Sequence, residues 1–118
     1  MKKNLLIDYS LQLATEIEHL CKFLDFGNCS NIIFQIKKSS SSVHANISEA
    51  QYPQSLPDML SKLKIARKEC LETEGWLTLL HKSNYIDDAV FKGLRNLSGR
   101  IRRLLTASCI TIERQCMK

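Results

Sequence analysis

Apolar residues recur along this chain at alternating steps of three and four, the period of one face of an α-helix, in four successive blocks. In the first, about residues 5 to 24, Leu6, Leu13, Ile17, Leu20 and Leu24 fall on one face. Gly27 then offers a left-handed stop, and Asn28 or Ser30 a cap for the next helix. The second block, about residues 31 to 51, carries Ile32, Ile36, Ser39, Val43, Asn46, Ile47 and Ala50. It contains four consecutive serines, 39 to 42, a run that in isolation reads as a flexible linker. The apolar period passes through that run unbroken, so the spacing predicts helix there. Ser39, Ser40 and Ala45 become small residues that let another helix approach closely.

Tyr52-Pro53 ends the second helix, because a residue before proline avoids helical geometry. The third opens at Ser55-Leu56-Pro57-Asp58, with a serine to cap it, a proline where a missing N–H costs little, and an acid at the positive end of the dipole. Leu60, Leu63, Cys70, Leu77 and Leu80 continue it to about residue 82, and Asn84 is its expected stop. Asp87 or Asp88 starts the fourth, whose stripe is Leu94, Ile101, Leu105, Ser108 and Ile112, widened by Leu97, Leu104 and Cys109. Every connection is short, so consecutive helices should be antiparallel neighbours. The fold expected is all-α, an antiparallel up-down-up-down four-helix bundle, with residues 1–118 as a single domain.

Composition agrees with this and narrows the chemistry. The chain has 118 residues, enough for one hydrophobic core, with only four glycines and two prolines to interrupt helices. No stretch approaches the ~18 apolar residues of a membrane span. Asp8 and Glu16 interrupt the amino-terminal segment, which lacks a secretory pattern, so no membrane association and a cytoplasmic location are expected. The five cysteines, Cys21, Cys29, Cys70, Cys109 and Cys116, form no CxxC pair, and His19, His44 and His81 are scattered. Free thiols are expected, with no metal site and no cofactor.

Four polar residues resist the pattern. Asn46 and Glu49 border the stripe of the second helix, and Glu72 and Glu74 flank that of the third. Carboxylates in a bundle suggest a metal centre, but a di-iron bundle draws a Glu-x-x-His motif from each of two helices, and the chain does not hold two. The expectation is structural: at least partial burial, with hydrogen bonds across helices or protomers that fix register, and no enzymatic activity.

The segments "QIKKSSSSVHANISEA" and "LKIARKECLETEGWLTLLHKSNYI" contain Ser42, Ala45, Asn46, Ile47 and Glu49, then Ala66, Glu72, Thr73, Glu74, Trp76, Leu77, Tyr85 and Ile86. On these residues the chain resembles the four-helix-bundle proteins encoded in intervening sequences of bacterial 23S rRNA genes. Relatives of that family include the accessory proteins of diversity-generating retroelements. The distinctive motifs cover about half the chain, and the first and fourth helices match only in pattern. Ala50, Lys68, Glu69 and Gly75 depart from the residues common in the family. The resemblance implies a homopentamer, and for some relatives binding to nucleic acid and to a reverse transcriptase. It says more about shape than about activity.

Charge supplies the functional clue. From Lys92 onward the chain carries Lys92, Arg95, Arg100, Arg102, Arg103, Arg114 and Lys118 against one acid, Glu113. Lys92, Arg95, Arg102 and Arg103 lie broadly together on the wheel, away from the apolar stripe. Lys62, Lys64, Arg67 and Lys68 form a second cluster on the third helix. Such runs are often only a solvated face. Read functionally, nine residues, Lys92, Arg95, Arg100, Arg102 and Arg103 with Lys62, Lys64, Arg67 and Lys68, are the candidate contacts to RNA or DNA, made to phosphates and without sequence reading, since no aromatic residues interleave them. Two function classes remain: a basic, non-enzymatic oligomer that binds nucleic acid, alone or beside a reverse transcriptase, or a protein–protein adaptor whose charge serves solubility.

Overall fold

The computed structural model describes residues 4–24 and 26–117. Four helices follow one another: α1 (Leu5–Cys21), α2 (Phe26–Glu49), α3 (Leu56–Lys82) and α4 (Asp88–Cys116). Among the described residues the backbone of each helix packs close to its two neighbours and stays apart from the diagonal one, the arrangement of an antiparallel four-helix bundle. The bundle measures 51 × 26 × 22 Å.

Local chemistry sets the helix ends. Asn4, Ser55 and Asp87 are N-caps whose side chains accept from the N–H groups of Ile7, Asp58 and Val90. Asp58 returns the favour by accepting from the Gln54 N–H. At the end of α3, Asn84 adopts φ 65°, a left-handed conformation that asparagine tolerates. Tyr85 N–H then bonds Leu80 O and Asn84 N–H bonds His81 O, closing a Schellman turn that satisfies the last carbonyls of the helix.

The apolar stripes converge on a core that includes Leu13, Ile17, Ile36, Val43, Ile47, Leu77, Leu80, Ile101 and Leu105, all fully buried. The serine run lies inside α2, and Ser39 and Ser40 are buried. Ser40 and Ser41 return their hydroxyl protons to the carbonyls of Lys37 and Lys38, so a polar run packs without orphaned donors. Ser39 Oγ lies 2.8 Å from Thr73 Oγ1 on α3. Each hydroxyl also reaches a carbonyl of its own helix, Ser39 that of Ile36 and Thr73 that of Glu69, so the pair joins the two helices with both groups satisfied.

Two expectations at the α1–α2 corner are corrected. Helix α1 ends at Cys21 rather than near Leu24, and Gly27 is not a left-handed stop, since no described glycine has positive φ. The chain turns instead through tight bonds from Lys22 N–H to His19 O and from Phe23 N–H to Leu20 O. Helix α2 begins five residues early, at Phe26, but Cys29 (φ −129°, ψ 30°) kinks it. The regular helix resumes close to the predicted start.

Candidate nucleic-acid interface

The cations of α4 divide by what they touch. Lys92, Arg95, Arg100 and Arg103 are exposed, and none meets a carboxylate within ion-pair distance among the described residues. Two of them rest on aromatic rings: the Arg95 guanidinium stands 5.0 Å from the Phe91 centroid, and Arg100 5.5 Å from Tyr9 on α1. A guanidinium lying on a ring keeps its N–H edges outward and loses less rotational freedom on binding an anion. Phe91 stacks in turn on His81 of α3 at 4.2 Å, and His81 Nε2 lies 2.6 Å from Asp88 Oδ1. That hydrogen bond, then the His81 charge, holds the Asp88 carboxyl below its ordinary pKa.

Arg102 differs. Its Nε donates to Glu74 Oε2 at 3.0 Å and its Nη2 to Glu74 Oε1 at 3.2 Å, while Ser98 Oγ donates to the same carboxylate at 3.1 Å. The Glu74 side chain is only 17% exposed, so this is a bidentate clamp across the α3–α4 seam. Its hydrogen bonds raise the Arg102 pKa. The sequence placed Arg102 with the free cations, whereas its guanidinium is half committed to Glu74.

On α3, Lys62 pairs with Glu49 at 3.2 Å and Lys64 with Glu113 at 3.3 Å. Arg67 and Lys68 form no ion pair among the described residues. Arg67 is half-buried toward α4, where its charge acts on Cys109; Lys68 is exposed. Of the nine predicted contacts, the structure gathers Lys92, Arg95, Arg100 and Arg103 on the outer half of α4 as uncompensated charge. The remaining five are paired or lie on another helix.

Residues 2–107 match the family model described as 23S rRNA-intervening sequence protein. The chain belongs to this family. The bundle is similar to the crystal structure of a protein of unknown function from the S23 ribosomal protein family of Bacteroides thetaiotaomicron VPI-5482. That likeness has a TM-score of 0.81 and 38% identity, over 89% of this chain and 98% of the other. No curated protein matches the chain.

In this 23S rRNA-intervening sequence protein the motif residues split between core and surface. Ile47, Thr73 and Leu77 are buried and Trp76 is half-buried. Asn46 is half-buried, but its amide bonds Ser42 O and Ser42 Oγ within its own helix, which absorbs it without a partner helix. Glu49 is exposed and reaches across to Lys62. Glu72 is exposed and makes no hydrogen bond to another helix among the described residues. Burial, then the Glu72 charge beside it, raises the Glu69 pKa. Among the described residues, then, Glu74 alone of the four makes an interhelical clasp at a largely shielded position. Glu49 and Glu72 face outward from the apolar stripes, whereas Asn46 borders the stripe of α2, half-buried. One Glu-x-x-His motif does occur, Glu16 and His19 on α1, but both are exposed. No group of three or more His, Cys, Asp or Glu side chains able to hold a metal ion occurs among the described residues. No described helix is long and apolar enough to cross a membrane.

Proposed function

We propose that this protein is a non-enzymatic, basic assembly module that binds RNA or DNA through phosphate contacts on the outward side of α4. The observation that carries the reading is the set Lys92, Arg95, Arg100 and Arg103, exposed on one helix and without carboxylate partners among the described residues. Eleven residues separate the first from the last, so the set spans about 16 Å of helix, room for several phosphates. Aromatic support for two of the arginines favours a prearranged surface over a merely soluble one. Contacts of this kind read no bases, so RNA and DNA of mixed sequence should bind alike. A reverse transcriptase fits this reading as a partner that meets the protein on a shared nucleic acid.

Self-association, to a homopentamer, belongs to the same proposal. It is supported by apolar side chains on the outer side of α3, including Ile65, Leu71 (55% exposed) and Leu79. The same side chains would serve the adaptor reading, in which a different protein covers them.

The deciding measurement is affinity for a mixed-sequence RNA duplex across a salt series. Neutralising about four phosphates per protomer gives a log–log slope steeper than roughly −3. Salt-independent or undetectable binding would transfer the lead to the adaptor reading. Sedimentation velocity at micromolar concentration checks assembly, with a single species of five protomers expected and a monomer throughout decisive against it.

A further inference from the structure

Gly99 lies in the interior of α4, a helix of 29 residues, where glycine is less favourable than alanine. Its φ is not positive, so the backbone does not require it. Of the helical glycines Gly75, Gly93 and Gly99, the first two have open space where a Cβ would stand. At Gly99 that position lies 3.4 Å from Arg103 Nη1 and 3.8 Å from Arg102 Nη2. Both guanidinia lie over bare helix backbone, and this cover explains why Gly99 is buried although it stands well away from the apolar stripe.

The two arginines are held differently. Arg102 is fixed from the α3 side by Glu74, itself bonded by Ser98, and its Nη2 keeps a second hydrogen. Arg103 has no carboxylate among the described residues. Two guanidinia converging on one spot repel each other, and the single carboxylate offsets only one of them. An anion above Gly99 would accept from both and relieve that repulsion.

We propose that Gly99, Arg102 and Arg103 form a seat for one phosphate group, with Glu74 and Ser98 as positioning residues that hold Arg102 in place. The proposal rests on the reading of α4 as a nucleic-acid surface and adds the point on it where a phosphodiester is gripped by two arginines. Glycine is needed because a large side chain at this position would occupy the seat. Alanine would not, since its Cβ would only reach ordinary contact with Arg103.

The test compares Gly99→Ala and Gly99→Leu in the full-length protein. Both replacements favour the helix, so both should raise the melting temperature. Gly99→Ala should bind a mixed-sequence RNA duplex as the parent does, and Gly99→Leu about tenfold more weakly, the scale of one lost charge-assisted contact. Inorganic phosphate titrated into labelled protein should shift the Nε–H resonances of Arg102 and Arg103 together in the parent and in Gly99→Ala, but not in Gly99→Leu. Parental duplex binding by Gly99→Leu overturns the seat while leaving the α4 surface standing. If the parent fails to bind duplex yet phosphate still moves both resonances, the seat serves free phosphate and the nucleic-acid reading falls. If neither ligand is bound, both are wrong.

Discussion

On α3, Lys62 reaches Glu49 and Lys64 reaches Glu113, while on α4 Lys92 and Arg103 extend from the bundle with no carboxylate in reach among the described residues. Both helices display cations at helical spacing, yet they offer a polyanion very different surfaces. A lysine that already holds a carboxylate gains little by exchanging it for a phosphate. An unpaired one releases counterions from the nucleic acid at no such loss. Net charge therefore overstates α3 and describes α4 well.

Neutralising each pair separately gives the largest expected contrast. Lys92→Gln with Arg103→Gln should flatten the salt slope for duplex binding by about 2, since each phosphate contact contributes about 0.9. Lys62→Gln with Lys64→Gln should leave the slope nearly unchanged. Equal effects in fluorescence anisotropy salt series would abolish the distinction between the helices.

A smaller effect separates two of the interhelical carboxylates, Glu74 and Glu49. Removing Glu74 strips the acceptor from Arg102 and leaves the buried Ser98 only the longer bond to Cys70 O, so Glu74→Ala should cost about 1–2 kcal/mol in urea unfolding. Glu49 makes one exposed ion pair, and Glu49→Ala should cost no more than about 0.5 kcal/mol. A reversed order would mean that the α3–α4 clamp contributes nothing to stability.

The smallest prediction concerns Glu69, whose folded pKa is raised above the ordinary 4.5 by burial and then by Glu72. Between 4.5 and the raised value the folded state binds the extra proton, so this group's contribution falls as pH rises through that window. Glu69→Gln should therefore raise the melting temperature at about pH 7 and leave it unchanged at about pH 3.5, where the parent side chain is protonated in both states. A rise of the same size at both values would point to packing instead of charge.

Periodicity alone made the helices, the serine run inside α2 and the Asn84 stop legible, because each depends on residues close in sequence. What it could not supply was the register between helices. A helical wheel places Arg102 beside Arg103, but only the meeting of α3 with α4 puts Glu74 opposite one and leaves the other free. Phe91 and Tyr9 give no signal in the sequence for the same reason: their roles beneath Arg95 and Arg100 depend on side-chain direction within α4 and across the α1–α4 seam. Gly27 misled because glycine permits a left-handed stop without requiring one.

The polar pairs have a bearing on handedness. Four antiparallel helices with these apolar stripes could circulate around the core in either sense, burying much the same carbon surface. Here Ser10 lies 3.0 Å from His44 between α1 and α2, Ser39 meets Thr73 between α2 and α3, and Ser98 meets Glu74 between α3 and α4. Each of these groups stands on one flank of its helix. In the opposite circulation each flank would face the wrong neighbour, and Ser10, Ser39, Thr73 and Ser98, all buried here, would lose these partners at once. Ser10, Ser39 and Thr73 would fall back on carbonyls of their own helices, those of Ile7, Ile36 and Glu69, so the mirror topology costs the interhelical bonds alone, about 0.5–1.5 kcal/mol each. Leucines make this chain a bundle, and its interhelical serines and threonines favour one way for it to turn.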